Sequence, residues 1–180
     1  MPLRGFRPYR RIAPLVAACA VFALPILATA STTIEPDPKG FQEIAWGTAL
    51  KEQPRFVVAQ SFDHVIGYDL KDAPLALGEA ALQSIRYFTI DGQFGRVTVK
   101  YVGKENHAKM LAYLQAQYGP IDRTPGSMMR GLNQQFNWRG NETEVNLTYE
   151  AKGERGFLSI ESRVLSPRFN EFLSDTGPGY

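Results

Sequence analysis

Two histidines, His64 and His107, and one cysteine, Cys19, are the only imidazole and thiol groups in the 180 residues. A metal site needs several convergent donors, and these histidines are far apart in sequence without ligand spacing. His107 falls on the apolar stripe of a helix and reads as a core-edge residue satisfied by a neighbour. Asp63-His64 comes nearest to an acid-base pair; beside a second acid in a concave pocket it would suit a hydrolase. No GxSxG elbow presents a serine nucleophile. Gly103-Lys104, within GKENHAK, lacks the long glycine loop that cradles phosphate. The sequons Asn141-Glu142-Thr143 and Asn146-Leu147-Thr148 read as chance matches on or beside a strand. Neither a cofactor nor a metal is expected.

Chemistry of another kind, recognition, is suggested by SIRYFTIDGQFGRVTVKY, residues 84 to 101. Asp91-Gly92 marks a hairpin. A three-residue loop ending in a glycine bulge pairs Ile85 with Val97 and Tyr87 with Gly95, and places Val99 and Tyr101 on the same inward face. The opposite face then sets Phe88 against Phe94 and Arg86 against Arg96, with Thr98 and Lys100 nearby. Like charges directly opposed are destabilising unless an acid or anion lies between them. Either glutamates of neighbouring strands, such as Glu150 or Glu161, neutralise the arginines, or Phe88, Phe94, Arg86, Arg96 and Lys100 form a patch for a partner or an anionic ligand.

The elements that position these residues follow from periodicity. NQQFNW (133–138), EVNLTYE (144–150) and FLSIESRV (157–164) alternate apolar and polar side chains, the mark of antiparallel strands with one buried face. RFVVAQ and HVIGYDL add an earlier pair. Between the two sets a helix is predicted over Asn106 to Tyr118, capped by Asn106 and stopped by Gly119-Pro120. Its stripe of His107, Leu111, Leu114 and Tyr118 should cover the inner face of the sheet. A short helix is predicted from Thr48 to Pro54, another over Arg168 to Leu173, and a flexible loop around Met128-Met129. The fold class expected is α+β: an antiparallel sheet with one long helix on one face and a short N-terminal helix. Strand-helix alternation of the nucleotide-binding kind is absent.

The amino-terminal residues read as an export signal. Arg4, Arg7, Arg10 and Arg11 precede an apolar run from Ile12 to Leu27 and a cleavage motif, Ala28-Thr29-Ala30. Pro14 and Pro25 interrupt the run, which disfavours a membrane span. Cleavage after Ala30 is expected; the alternatives are lipid anchoring at Cys19, within Val16-Ala17-Ala18-Cys19, or a retained anchor. Loss of residues 1–30 removes four arginines and no acid, leaving 16 basic against 18 acidic side chains, so the net charge passes from +2 to −2. That balance disfavours nucleic acid. Thiol chemistry leaves with Cys19. Residues 31–40 read as a linker, 41–173 as a single domain and 174–180 as a disordered tail.

Phe41, Ile44 and Trp46 lead into Gly47 and Thr48, and this corner is expected to close the core, not to stack a ligand. The FxxIxWG pattern, the central hairpin, the helix ending in Tyr118-Gly119-Pro120 and the strand containing Trp138 together resemble a widespread group of small exported bacterial proteins of unassigned function. The resemblance spans about residues 41 to 165 and implies periplasmic location and an α+β fold, with no activity attached. In architecture alone the chain is also similar to small outer-membrane assembly lipoproteins and to secreted β-lactamase inhibitors. The expectation is a non-catalytic binding or accessory module of the cell envelope, meeting another envelope protein or an anionic or glycan ligand. An envelope-acting hydrolase using Asp63 and His64, and a tethered assembly lipoprotein, are the alternatives.

Overall fold

The computed structural model describes residues 32–34, 36–121, 127–130 and 133–175. The expected signal, with Cys19 and Ala30, lies outside the described residues, as do residues 176–180 of the expected tail. In chain order come β1 (Thr32–Thr33), β2 (Gly40–Phe41), β3 (Ile44–Ala45), a 3-10 turn (Leu50–Glu52), β4 (Phe56–Phe62) and β5 (Val65–Leu70). Then follow β6 (Ala76–Leu77), β7 (Ala80–Ala81), β8 (Ser84–Ile90), β9 (Gln93–Val102) and helix α1 (Lys104–Tyr118). The chain continues through β10 (Ser127–Arg130), β11 (Asn133–Arg139), β12 (Thr143–Glu150), β13 (Arg155–Ser162) and helix α2 (Ser166–Asp175).

The fold is α+β. Two antiparallel meanders, β4-β5-β8-β9 and β11-β12-β13, join where β13 pairs with β9. The outer edge of β11 carries two short additions, β1 in parallel and β10 antiparallel, which complete a nine-stranded sheet. Met128-Met129, expected in a loop, therefore lies on a strand. The stretch expected as a linker is also attached to the sheet: Ile34 is buried, and Asp37 Oδ2 accepts the Glu142 and Thr143 backbone N–H groups at 2.6 and 3.3 Å. Burial raises the Asp37 carboxyl pKa, but the Glu142 N–H, the Thr143 hydroxyl and the Lys39 and Thr143 N–H groups together outweigh it and hold the group below its ordinary value.

Strict alternation sends Tyr87, Val97, Val99, Tyr101, Leu158, Ile160, Val145 and Leu147 to one face, where they form the core. Met110 and Leu114 of α1 are fully buried in that same core, and Leu111 packs against its margin. Each such side chain contributes about 1.5–3 kcal/mol by leaving water. Helix α1 begins earlier than predicted. Asn106 does not cap it; the side chain reaches back to the Val102 carbonyl at 2.9 Å and accepts the Ala81 N–H at 3.1 Å.

At the amino-terminal end the predicted short helix is reduced to the 3-10 turn. Gln53, the residue before Pro54, is extended (φ −98, ψ 117), as the proline ring requires. The Trp-Gly corner sits just ahead of it. Phe41 and Ile44 pair across a turn in which Gln42 and Glu43 both have positive φ, and both apolar side chains are buried. Trp46 lies against Phe94 with ring centroids 5.0 Å apart and donates its indole N–H to Thr143 Oγ1 at 3.0 Å. Gly47, at φ 85, donates its N–H to the Phe94 carbonyl at 2.7 Å, and the Phe94 N–H returns to Thr48 O at 2.9 Å. The corner thus stitches the amino-terminal segment to β9 and closes the core.

That stitch coincides with a departure from the expected hairpin register. Asp91 and Gly92, at φ 47 and 79, form a two-residue turn closed by Ile90 and Gln93. A bulge follows, after which Phe88 faces Arg96, Arg86 faces Thr98, Tyr87 faces Val97 and Ile85 faces Val99. Neither Phe88 and Phe94 nor Arg86 and Arg96 are opposed. The bulge turns Phe94 inward, onto Trp46 and Tyr87, and lets Leu165 and the α2 residue Phe169 approach Gly95, where a Cβ would meet them at 2.9–3.1 Å.

Candidate binding face on the outer side of the sheet

Among the described residues, the second face of the sheet is covered only at one end. There Leu165, just ahead of α2, and Phe169 within it pack on Val65 and Ile90, with Phe88 and Phe172 alongside. Arg96 fastens the helix: its Nε donates to Glu161 Oε2 at 2.7 Å, one Nη donates to Asn170 Oδ1 at 3.1 Å, and the guanidinium stands 4.6 Å from the centre of the Phe169 ring. With both partners' side chains only 14% exposed, Arg96 and Glu161 form a nearly buried pair. Glu161 is one of the two neutralising acids expected.

Beyond α2 a groove of about 300 Å³ runs across β4, β5, β8, β9 and β13. Phe62, Val65, Phe88, Phe157 and Phe169 supply apolar surface, and Arg86, Arg96 and Lys100 supply the cations. Gly67 on β5 makes room. A Cβ there would meet Phe88 at 3.0 Å and Arg86 at 3.1 Å, so both side chains lie over the bare backbone toward β4. Arg86 donates from Nε to Asp69 Oδ1 at 3.1 Å and from Nη1 to Gln60 Oε1 at 3.0 Å. Lys100 differs from both arginines. It is exposed, and among the described residues no carboxylate lies within ion-pair distance of its ammonium.

Lys100 and Phe157 also border a second hollow on the same face, about 550 Å³, with Gln83, Asn133, Gln135 and Thr148 on its walls. Its other charged residues pair with each other, since Arg155 donates to Glu150 at 2.5 Å. Among the described residues, Lys100 is thus the one cation bordering these hollows without an acidic partner, and it stands between an apolar trough and an amide- and hydroxyl-lined one.

Of the residues singled out by sequence, Arg86, Phe88, Arg96 and Lys100 are brought together, and Phe94 is not: it is fully buried on the opposite face. Sequence reasoning missed Gly67 and Phe157. Both left a signal, a glycine inside an alternating strand and an aromatic at an outward position beside Leu158.

The Asp63-His64 turn is exposed. His64 Nδ1 bonds Asp91 Oδ1 at 2.6 Å, Arg168 pairs with the other oxygen, and the imidazole meets the Phe172 ring edge-on. That hydrogen bond, aided by Arg168, holds the Asp91 carboxyl below its ordinary pKa. The cluster ties α2 to the hairpin. His107 is buried instead. Its Nε2–H donates to Gln134 Oε1 at 3.0 Å, Nδ1 accepts from Tyr101 OH at 2.7 Å, and the ring stacks on Tyr149 at 4.1 Å. Burial lowers its pKa and raises that of Tyr101. Among the described residues no three histidine, aspartate or glutamate side chains gather as metal donors, and no helix is long and apolar enough to cross a membrane.

Comparison with protein families, with curated protein sequences and with solved structures finds no match to this chain.

Proposed function

We propose that the chain is exported, cleaved after Ala30 and active in the periplasm as a non-catalytic binding module of the cell envelope. In this reading the described residues act as one domain, its long helix sealing the inner face of the sheet so that the outer face is free for a partner. The observation that carries the reading is the outer groove: apolar side chains and three cations gathered on a sheet face that α2 covers only at one end. Exposed apolar surface rimmed by charge is the usual form of an interaction site. The hydrolase alternative draws no support from His64, whose partner is Asp91 in an exposed cluster and which has no second acid in a pocket.

A photoreactive residue replacing Thr98, inside the groove, is expected to capture an envelope component in the native cell. The same residue replacing Glu79, on the α1 side, is expected to capture none. Equal capture at both positions, or none at Thr98, contradicts the reading. The mass of the mature protein tests export: it corresponds to Ser31 as first residue if cleavage follows Ala30, and to a lipidated Cys19 if the chain is anchored.

A further inference from the structure

The charges of the outer face select among possible ligands. Of the cations bordering the two hollows, Arg86 is bound to Asp69, Arg96 to Glu161 and Arg155 to Glu150; Lys100 alone has no acidic partner among the described residues. Arg96 is further committed to Asn170 and to the Phe169 ring, so it serves α2. The face thus has a single positive charge to offer. Its position is specific, because Lys100 and Phe157 face each other across β9 and β13 and border both hollows. On one side lie Phe62, Val65 and Phe88; on the other, Gln83, Gln135 and Thr148.

A complementary molecule has three parts in a fixed order. An apolar chain fills the trough of about 300 Å³, one anionic group meets the Lys100 ammonium, and a polar head rich in hydroxyls or amides enters the hollow of about 550 Å³. We propose that the outer face binds a single-chain amphiphile carrying one phosphate or carboxylate between its acyl portion and a hydrogen-bonding head. This rests on the reading of the outer face as the binding face and names its ligand. A lysine suits the anion because an ammonium is a point charge that accepts phosphate or carboxylate from several directions. An apolar trough without the cation would favour neutral chains equally; a cation without the trough would favour small anions. Both features meet at Phe157 and Lys100.

Calorimetry on the mature protein with dodecyl phosphate, dodecyl maltoside and inorganic phosphate, each amphiphile below its micelle concentration, tests the proposal. Dodecyl phosphate is expected to bind at one equivalent, dodecyl maltoside more weakly, and inorganic phosphate not at all. Lys100→Gln is expected to weaken dodecyl phosphate about tenfold or more, the loss typical of a charge-assisted contact, and to leave dodecyl maltoside unchanged. Because Lys100 is exposed, the variant is expected to keep the wild-type melting temperature. Phe88→Ala is expected to weaken both amphiphiles.

The proposal is overturned if dodecyl phosphate fails to bind, if Lys100→Gln binds it as tightly as the wild type, or if inorganic phosphate binds as well. Binding only to phosphatidylglycerol vesicles, and not to the monomeric amphiphile, also overturns it and assigns the face to a membrane surface. A polypeptide captured at Thr98 without any amphiphile binding removes the ligand class while leaving the binding-face reading intact. No capture and no binding removes both.

Discussion

At Gly156 the backbone itself is the surface on which Tyr101 packs. The two residues face each other across β13 and β9, and a Cβ on Gly156 would lie 1.9 Å from the Tyr101 ring. The ring has nowhere to retreat, being 1% exposed and held through its hydroxyl by His107. Gly156→Ala is expected to lower unfolding stability by about 3 kcal/mol, the upper end of overpacking costs, as read from the urea midpoint. Gly92→Ala sets a contrast: no atom stands within 4 Å of its Cβ, but φ is +79. Backbone strain alone is expected to cost about 1 kcal/mol there. Equal losses at the two glycines would contradict the packing account.

His107 gives a pH dependence with a definite sign. Burial lowers its pKa in the folded state, against a smaller opposing effect of the Gln134 hydrogen bond. The unfolded chain therefore binds the proton more readily. The stability associated with neutral His107 is complete above the unfolded pKa of about 6.5 and is lost as pH falls below it toward the lowered folded value. Urea unfolding at about pH 7.5 and about pH 5 is expected to show a larger loss for the wild type than for His107→Gln, whose side chain cannot titrate. Equal losses would place the titrating group elsewhere.

At the scale of elements, Arg96 is one of the ties that hold α2 to the sheet, beside the apolar contacts of Phe169 and the Arg168–Asp91 pair. Glu161→Ala leaves that guanidinium nearly buried without its acid and is expected to cost about 3 kcal/mol, with faster amide exchange across residues 166–172. Unchanged exchange in α2 would show that the other ties hold the helix without the Arg96–Glu161 pair. Most elements were legible in the sequence because their patterns are local: β11, β12 and β13 alternate, β4 and β5 flank a short turn, and Gly119 ends α1. The hairpin register was not. A period of two describes a regular ladder, and the bulge after Thr89 and Phe94 interrupts it. The only local sign was Gly95, a residue without a side chain in the middle of a strand. The stripe of α1 was legible in phase but not in detail, since Met110, outside the expected stripe, is fully buried while Leu111 packs at the margin. Which arginine meets which acid depends on that same register, so Arg96 could not be told from Lys100 as a ligand for an anion.

For the whole molecule, the two faces of one sheet differ in how far the described residues cover them. The inner face is sealed by α1 and by the Trp46 corner, with its large aromatics, Tyr87, Phe94, Tyr101 and Trp138, almost wholly buried. Among the described residues no buried side-chain nitrogen or oxygen lacks a hydrogen-bond partner: the Trp138 indole N–H reaches the Gly119 carbonyl at 2.9 Å and Tyr87 OH donates to Gln42 at 2.7 Å. The outer face keeps Phe62 and Phe157 each 39% exposed beside the Lys100 ammonium, which has no acidic partner among the described residues. The central claim is that partners meet this outer face. Amide hydrogen exchange of the mature protein, with and without a solvent extract of its own cell envelope, tests it most directly. Slower exchange confined to residues 84–88, 98–100 and 157–159 is the predicted result; slowing over α1 and the β6-β7 hairpin, or an unchanged profile throughout, would contradict it.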